Sequence, residues 1–161
     1  NRTGINYILC KDAVNTTVAN TATQTTILSA TCTIPGGLLG TNGCVEILFV
    51  GEVLTNDLGD DPLDIVLQYG SGSITVTKTP TASASTRTLP LRGYVCGDGA
   101  TNAQYLFMEG VLGAGLLEFN GQGTSAIDST VDQALDIEID WDTVSTSLSV
   151  TRFYSHVEVF P

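Results

Sequence analysis

Apolar and polar residues alternate along much of this chain, most cleanly from Ala134 to Trp141. There Leu135, Ile137, Ile139 and Trp141 take one parity, while Asp136, Glu138, Asp140 and then Asp142 take the other. A period of two sends one set to a core and the other to water, as a half-buried β-strand requires. Leu63 to Tyr69 reads the same way, with Ile65, Leu67 and Tyr69 sharing a face. Gly70-Ser71-Gly72-Ser73 then turns the chain back into Ile74 to Lys78, which predicts a hairpin. Cys44 to Leu54 is predicted to begin directly after Asn42-Gly43, a pair that tolerates positive φ at both residues. Leu89 to Cys96, closed by Gly97-Asp98-Gly99, and Gln104 to Leu112 are further strands. Leu148 to Val159 ends the series, with Leu148, Val150, Arg152, Tyr154 and His156 on one parity.

Between these runs the pattern is weaker. Tyr7 to Leu9 reads as a short opening strand or an arm, and the Thr-rich tract Asn15 to Thr26 as one extended, partly exposed strand. Ile27 to Ile34 is a strand that stops at Pro35-Gly36-Gly37. Thr55 to Pro62 and Thr79 to Thr88 have loop compositions. Gly113, Gly115, Gly121 and Gly123 surround the short segment Leu116 to Phe119 and leave a helix there poorly supported. About nine or ten short strands, with no amphipathic helix, predict an all-β chain. The expected form is a single-domain antiparallel β-sandwich of jelly-roll type, with residues 1–15 as arm or first strand and 16–161 as the sandwich.

Composition agrees with that expectation and narrows the partners. In 161 residues, 42% hydrophobic against 14% charged is enough for one core and too little charge for disorder. A formal net charge of −11 repels phosphate backbones and anionic headgroups, so no nucleic acid partner is expected. The apolar run Val45 to Val53 is interrupted by Glu46 and Glu52 and falls far short of the roughly 20 residues of a membrane-spanning helix, so no membrane is expected either. The chain opens with Asn1 rather than Met, so either a start residue was removed or a longer chain was trimmed.

Cys10, Cys32, Cys44 and Cys96 are widely spaced and accompanied by a single His, which argues against a zinc site. The reading favoured is four buried thiols, with disulfides as the alternative. A Ser-His-Asp device would have to use His156, and no G-x-S-x-G elbow accompanies it; His156 is expected to be a strand residue at an edge or contact. No phosphate-binding loop occurs. Asp136, Glu138, Asp140 and Asp142 line one strand face about 7 Å apart, a spacing open to calcium or glycosidase chemistry. Trp141 lies on the wrong parity to stack a substrate there, so a solvated acidic face is the preferred reading. Asp57, Asp60 and Asp61 are a second calcium candidate without EF-hand spacing. No catalytic residue and no cofactor is assigned.

Two stretches carry a resemblance. Thr25-Thr26-Ile27-Leu28-Ser29, followed by Thr33-Ile34-Pro35-Gly36-Gly37 and Leu39-Gly40-Thr41-Asn42-Gly43, resembles a T-T-L-x-S…T-I-P-A-G-x-L-G-x-N-G signature. Asp132-Gln133-Ala134-Leu135-Asp136-Ile137, with Val157-Glu158 later, is similar to a D-Q-T-L-x-I…V-E ending. Both belong to the small β-sandwich modules of tailed-phage virion proteins, namely capsid decoration, head-fibre and tail-fibre proteins. The resemblance covers roughly Thr16 to Val159 and implies a module standing alone. It implies a non-enzymatic structural protein on the virion surface, first of all a decoration or cement protein that binds the major capsid protein as a homotrimer. The alternative is the receptor-binding tip of a fibre, with loops such as Thr79 to Thr88 or Gly97 to Asn102 on a host glycan or protein. A bacterial carbohydrate-binding module is the second alternative.

Overall fold

A computed structural model describes residues 6–28, 31–113 and 117–160. Within them twelve strands form two antiparallel sheets. Sheet A holds β1 (Tyr7–Asp12), β2 (Thr16–Ala19), β5 (Cys44–Thr55), β8 (Ser83–Gly97), β9 (Gln104–Leu112), β10 (Leu117–Ser125) and β12 (Leu148–Phe160), in the order β1-β12-β5-β8-β9-β10 with β2 also on β12. Sheet B holds β3 (Thr25–Thr26), β4 (Cys32–Ile34), β6 (Leu63–Tyr69), β7 (Gly72–Lys78) and β11 (Gln133–Trp141), in the order β3-β11-β6-β7 with β4 also on β11.

This order is a jelly roll with one addition. Taking β1/β2 and β3/β4 each as one broken edge, the frame is β1/β2-β12-β5-β8 over β3/β4-β11-β6-β7, the strand order of a jelly roll. The hairpin β9–β10 extends sheet A beyond β8. Its far strand then leans across to β7, where Gly121 and Gly123 stand against Val76 and Ile74. A Cβ at Gly121 would lie 2.5 Å from Val76 Cγ2, so only glycine admits that approach.

The core is what the alternating parity dictates. Leu135, Ile137, Ile139 and Trp141 of β11 and Leu63, Ile65, Leu67 and Tyr69 of β6 meet Val45, Ile47, Phe49, Leu89, Leu91, Leu106 and Met108 of sheet A. All are essentially without solvent contact. Burial pushes the Tyr69 hydroxyl up to about 12, with the Asp128 charge adding to it.

Several boundaries differ from the sequence expectation, each for a local reason. The tract Asn15 to Thr26 is two strands, because Asn20 takes a left-handed φ of 55° and redirects the chain from sheet A to sheet B. Of Ile27 to Ile34, only Cys32–Ile34 is strand; Ser29 and Ala30 lie outside the described residues. Ser83 to Thr88 is strand rather than loop, since it pairs with the end of β5. β10 begins at Leu117 and passes through Gly121 and Gly123, which its partner β9 holds in register; Leu116 lies outside the described residues. In β12 a bulge between Arg152 and Tyr154 splits the expected single parity. Leu148, Val150 and Arg152 point inward, while Tyr154 and His156 point outward.

The four cysteines are bridged, which corrects the expectation of free thiols. Cys44 and Cys96 are direct cross-strand partners on β5 and β8, on the outer face of sheet A. Cys10 and Cys32 join β1 to β4 and so tie the two sheets together at one edge. Strand register brings Cys44 and Cys96 together, and the stacking of the two sheets brings Cys10 to Cys32.

The bulge also leaves a buried cation. Arg152 has no solvent contact, and its guanidinium sits 2.6 Å from Asp12 Oδ2. It donates to the Val14 carbonyl, to Thr16 Oγ1 at 2.8 Å and to Ser155 Oγ at 3.2 Å. These bonds fasten the β1–β2 connection to the core.

Candidate functional site

Register fixes which side chains share the outer face of sheet A. Reading across β12, β5, β8, β9 and β10, one row is Glu158, Glu46, Tyr94, Phe107 and Gln122. The next is His156, Leu48, Arg92, Glu109 and Asn120, with Lys11 of β1 at its start. A third contains Tyr154, Val50, Pro90, Val111 and Glu118. Tyr105 stands one pair further along β9, opposite Thr124. The face therefore mixes rings and aliphatic side chains with carboxylates, amides and one guanidinium.

Over the added hairpin these rows enclose a shallow trough of about 410 Å³. Leu48, Pro90 and Val111 supply its apolar part, and Arg92, Glu109, Glu118 and Asn120 its hydrogen-bonding groups. Tyr94 and Phe107 lie beside it with ring centroids 6.1 Å apart and planes tilted by 36°. Tyr94 donates its hydroxyl proton to Glu46 Oε1 at 3.3 Å, and Arg92 Nε lies 3.5 Å from the same oxygen. The hydrogen bond to Tyr94, then the charge of Glu46 and more weakly of Glu109, raise the Arg92 pKa above its ordinary value. Tyr105 donates to Gln122 Oε1 at 2.5 Å, which fixes that amide beside the rings. Glu46 and Gln122 are thus held in place, while Glu109, Glu118 and Asn120 are exposed. An apolar floor with a few convergent polar groups is the usual make-up of a small-ligand site.

The residues singled out in the sequence lie elsewhere. Glu138 and Asp140 do lie along β11 and Asp142 just beyond its end, but Asp136 is 7% exposed rather than solvated. Its Oδ1 accepts from Thr26 Oγ1 at 2.6 Å, because β3 lies over that end of β11. Desolvation pushes the Asp136 carboxyl up to about 6, against the lowering effect of that bond. Asp140 is also raised, first by desolvation and then by Asp64, its cross-strand partner, and by Asp142. Asp57 accepts from the Leu58 amide and from Ser145, and Asp60 accepts from the Ala82 amide, so these two carboxylates hold turns. Among the described residues, no three His, Cys, Asp or Glu side chains gather as metal ligands do, Asp61 included.

His156 stands on the outer face of β12, the strand next to edge strand β1, edge-on to the Tyr154 ring at 5.5 Å. Its Nδ1 is buried without a hydrogen-bond partner, so no carboxylate holds that nitrogen. The neighbouring Ser155 points to the opposite face and bonds Arg152 instead. His156 also borders a second cavity of about 270 Å³ beside the Cys10–Cys32 bridge.

Sequence reasoning missed the trough. Its signal was present in the outward parity of three strands: Tyr94, Arg92 and Pro90, then Phe107, Glu109 and Val111, then Glu118 and Asn120. Only pairing of β8, β9 and β10 shows that these fall side by side.

No family model matches the chain, and no curated protein matches it. Among solved structures it is similar to arcelin-5, a lectin-like defense protein from Phaseolus vulgaris, at 7% identity and a TM-score of 0.43, over 99% of both chains. It is similar to the CBM2 module of the Lactobacillus casei BL23 phage J-1 evolved Dit at 9% identity and a TM-score of 0.40, over 98% of both. It is also similar to basic winged bean lectin, solved with Tn-antigen, at 8% identity and a TM-score of 0.43, over 98% of both. Likeness at this level extends to layered β-architecture and no further.

Proposed function

We propose that this chain is a non-enzymatic recognition module that holds a glycan on the outer face of sheet A, as the receptor-binding tip of a virion-surface fibre. The observation that carries this reading is the trough with Tyr94 and Phe107 at its side. Pyranose rings offer apolar C–H faces to aromatic rings and hydroxyls to carboxylate, amide and guanidinium groups, and this surface presents both kinds of partner within three strands. Two disulfides support work outside a reducing cytosol, where such bridges persist on secreted proteins and virion surfaces.

A panel of immobilised glycans tests the reading. Retention of at least one glycan by the wild-type chain, lost in Phe107→Ala, is the expected result. Equal retention by both proteins would move the site off this face. The presence of the chain in purified virions separates a fibre tip from a secreted carbohydrate-binding module.

A second reading, capsid decoration, is favoured by one feature. The edge strand β1 exposes Tyr7 and Ile8, the latter at 53%, and an apolar strand edge is a docking line for another chain. In that role the partner is the major capsid protein and the chain a homotrimer. Hundreds of copies over the shell, and particles that burst at lower temperature without it, are the outcomes expected of it.

A further inference from the structure

Resting on the glycan reading, the charges around the trough identify the class of glycan. Glu46, Glu52, Glu109, Glu118 and Glu158 share the outer face of sheet A with only Arg92 and Lys11 among its outward-facing cations in the described residues. Lys11 is at the far edge, its ammonium 5.8 Å from the centroid of the Tyr154 ring. Arg92, the one cation in the trough, already faces two carboxylates, Glu46 at 3.5 Å and Glu109 directly across the strand pair. Its charge is therefore cancelled locally, and Glu118 adds a further negative charge on the other side of the trough.

We propose that the trough takes uncharged pyranose chains and turns away sialylated, uronate-containing and phosphorylated glycans. Hydroxyl groups donate to Glu109 and Glu118 and accept from Arg92 and Asn120 without any change in net charge. An anionic substituent meets the same carboxylates as like charges. A carboxylate about 7 Å away lowers the affinity for a bound anion by roughly threefold in water, so two of them give about tenfold. The overall charge of −11 adds to this at long range and slows the approach of anions at low salt.

The test is a printed array of neutral glycans beside their sialylated, uronate and phosphorylated counterparts, probed with wild-type chain and with Glu109→Gln/Glu118→Gln at low and high salt. In each matched pair, the wild type is expected to bind the neutral member about tenfold more strongly at low salt, with the gap narrowing at high salt. The double variant is expected to raise the anionic-to-neutral ratio by about tenfold, whichever way neutral binding moves. Preference of the wild type for anionic members overturns the proposal while leaving glycan recognition intact. A ratio unmoved by the double variant or by salt also overturns it. Silence of the whole array removes the glycan reading and the proposal together. Far-ultraviolet circular dichroism checks the fold of the double variant, and Glu118→Gln alone carries the same test at roughly threefold should the pair fail to fold.

Discussion

The two sheets differ in how much apolar and aromatic surface their outer faces carry. On sheet B the outward side chains include Thr26, Asp64, Gln68, Ser73, Thr75, Thr77, Asp136, Glu138 and Asp140, with Val66 an apolar residue among them, and several are bonded to one another, Thr26 to Asp136 and Thr77 to Asp64. On sheet A the corresponding positions carry Leu48, Val50, Pro90, Tyr94, Tyr105, Phe107, Val111 and Tyr154, set among charged residues such as Glu46, Arg92, Glu109, Glu118 and Glu158. A sandwich needs apolar residues only on its inner faces, and a solvated sheet normally turns polar residues outward. Sheet B follows that rule apart from Val66, and sheet A departs from it at many positions, which is why sheet A is read as the working surface.

The largest effects should follow parity within one strand. Ile137→Ala empties an inward site of β11 and is expected to cost about 2–5 kcal/mol, while its outward neighbour Glu138→Ala should stay within about 0.5 kcal/mol, both read from urea unfolding. Comparable costs would mean that the inner and outer assignments are wrong. Next, replacing Cys10 and Cys32 together with Ala should cost about 2–5 kcal/mol, since the bridge joins the sheets at an edge held otherwise by the short strands β1 and β4. Binding on sheet A should survive this change at temperatures where the domain stays folded.

Smaller effects separate the two outer faces. Phe107→Ala should weaken glycan binding by about tenfold or more, the share of one well-packed ring, with little change in melting temperature; Thr75→Ala on sheet B should alter neither. Asp136 supplies the pH dependence. Its folded carboxyl, at about 6, lies above the ordinary 3.8, so the folded state holds its proton more tightly than the unfolded state. The resulting penalty is absent below about pH 4, grows as pH rises toward 6, and is complete above that. Asp136→Asn is accordingly expected to gain about 1–2 kcal/mol at pH 7 and nothing near pH 4, by denaturation at the two pH values.

Much of the fold was legible because inward parity is a core requirement repeated on every strand. β6 and β9 run between the residues that alternation and turn chemistry marked, and β5, β7, β8, β11 and β12 lie where those signals placed strands. What escaped had long-range causes. Ser83 to Thr88 looks like a loop by composition and is strand only because β5 runs beside it. The outward turn of Tyr154 and His156 depends on a bulge that no local pattern signals, since alternation alone keeps both on the inward parity of Leu148, Val150 and Arg152. The cysteine pairs and the trough share this cause: Cys44 and Cys96, like the trough residues, are adjacent only through register, and Cys10 and Cys32 only through the packing of one sheet on the other.

Ligand recognition by the outer face of sheet A is tested most directly by amide chemical-shift mapping of the isotope-labelled chain, titrated with a neutral glycan retained on the array. Perturbations are expected to concentrate on β8, β9 and β10 around Arg92, Phe107, Glu109 and Asn120. Perturbations concentrated on β6, β7 and β11, with sheet A unmoved, would contradict it.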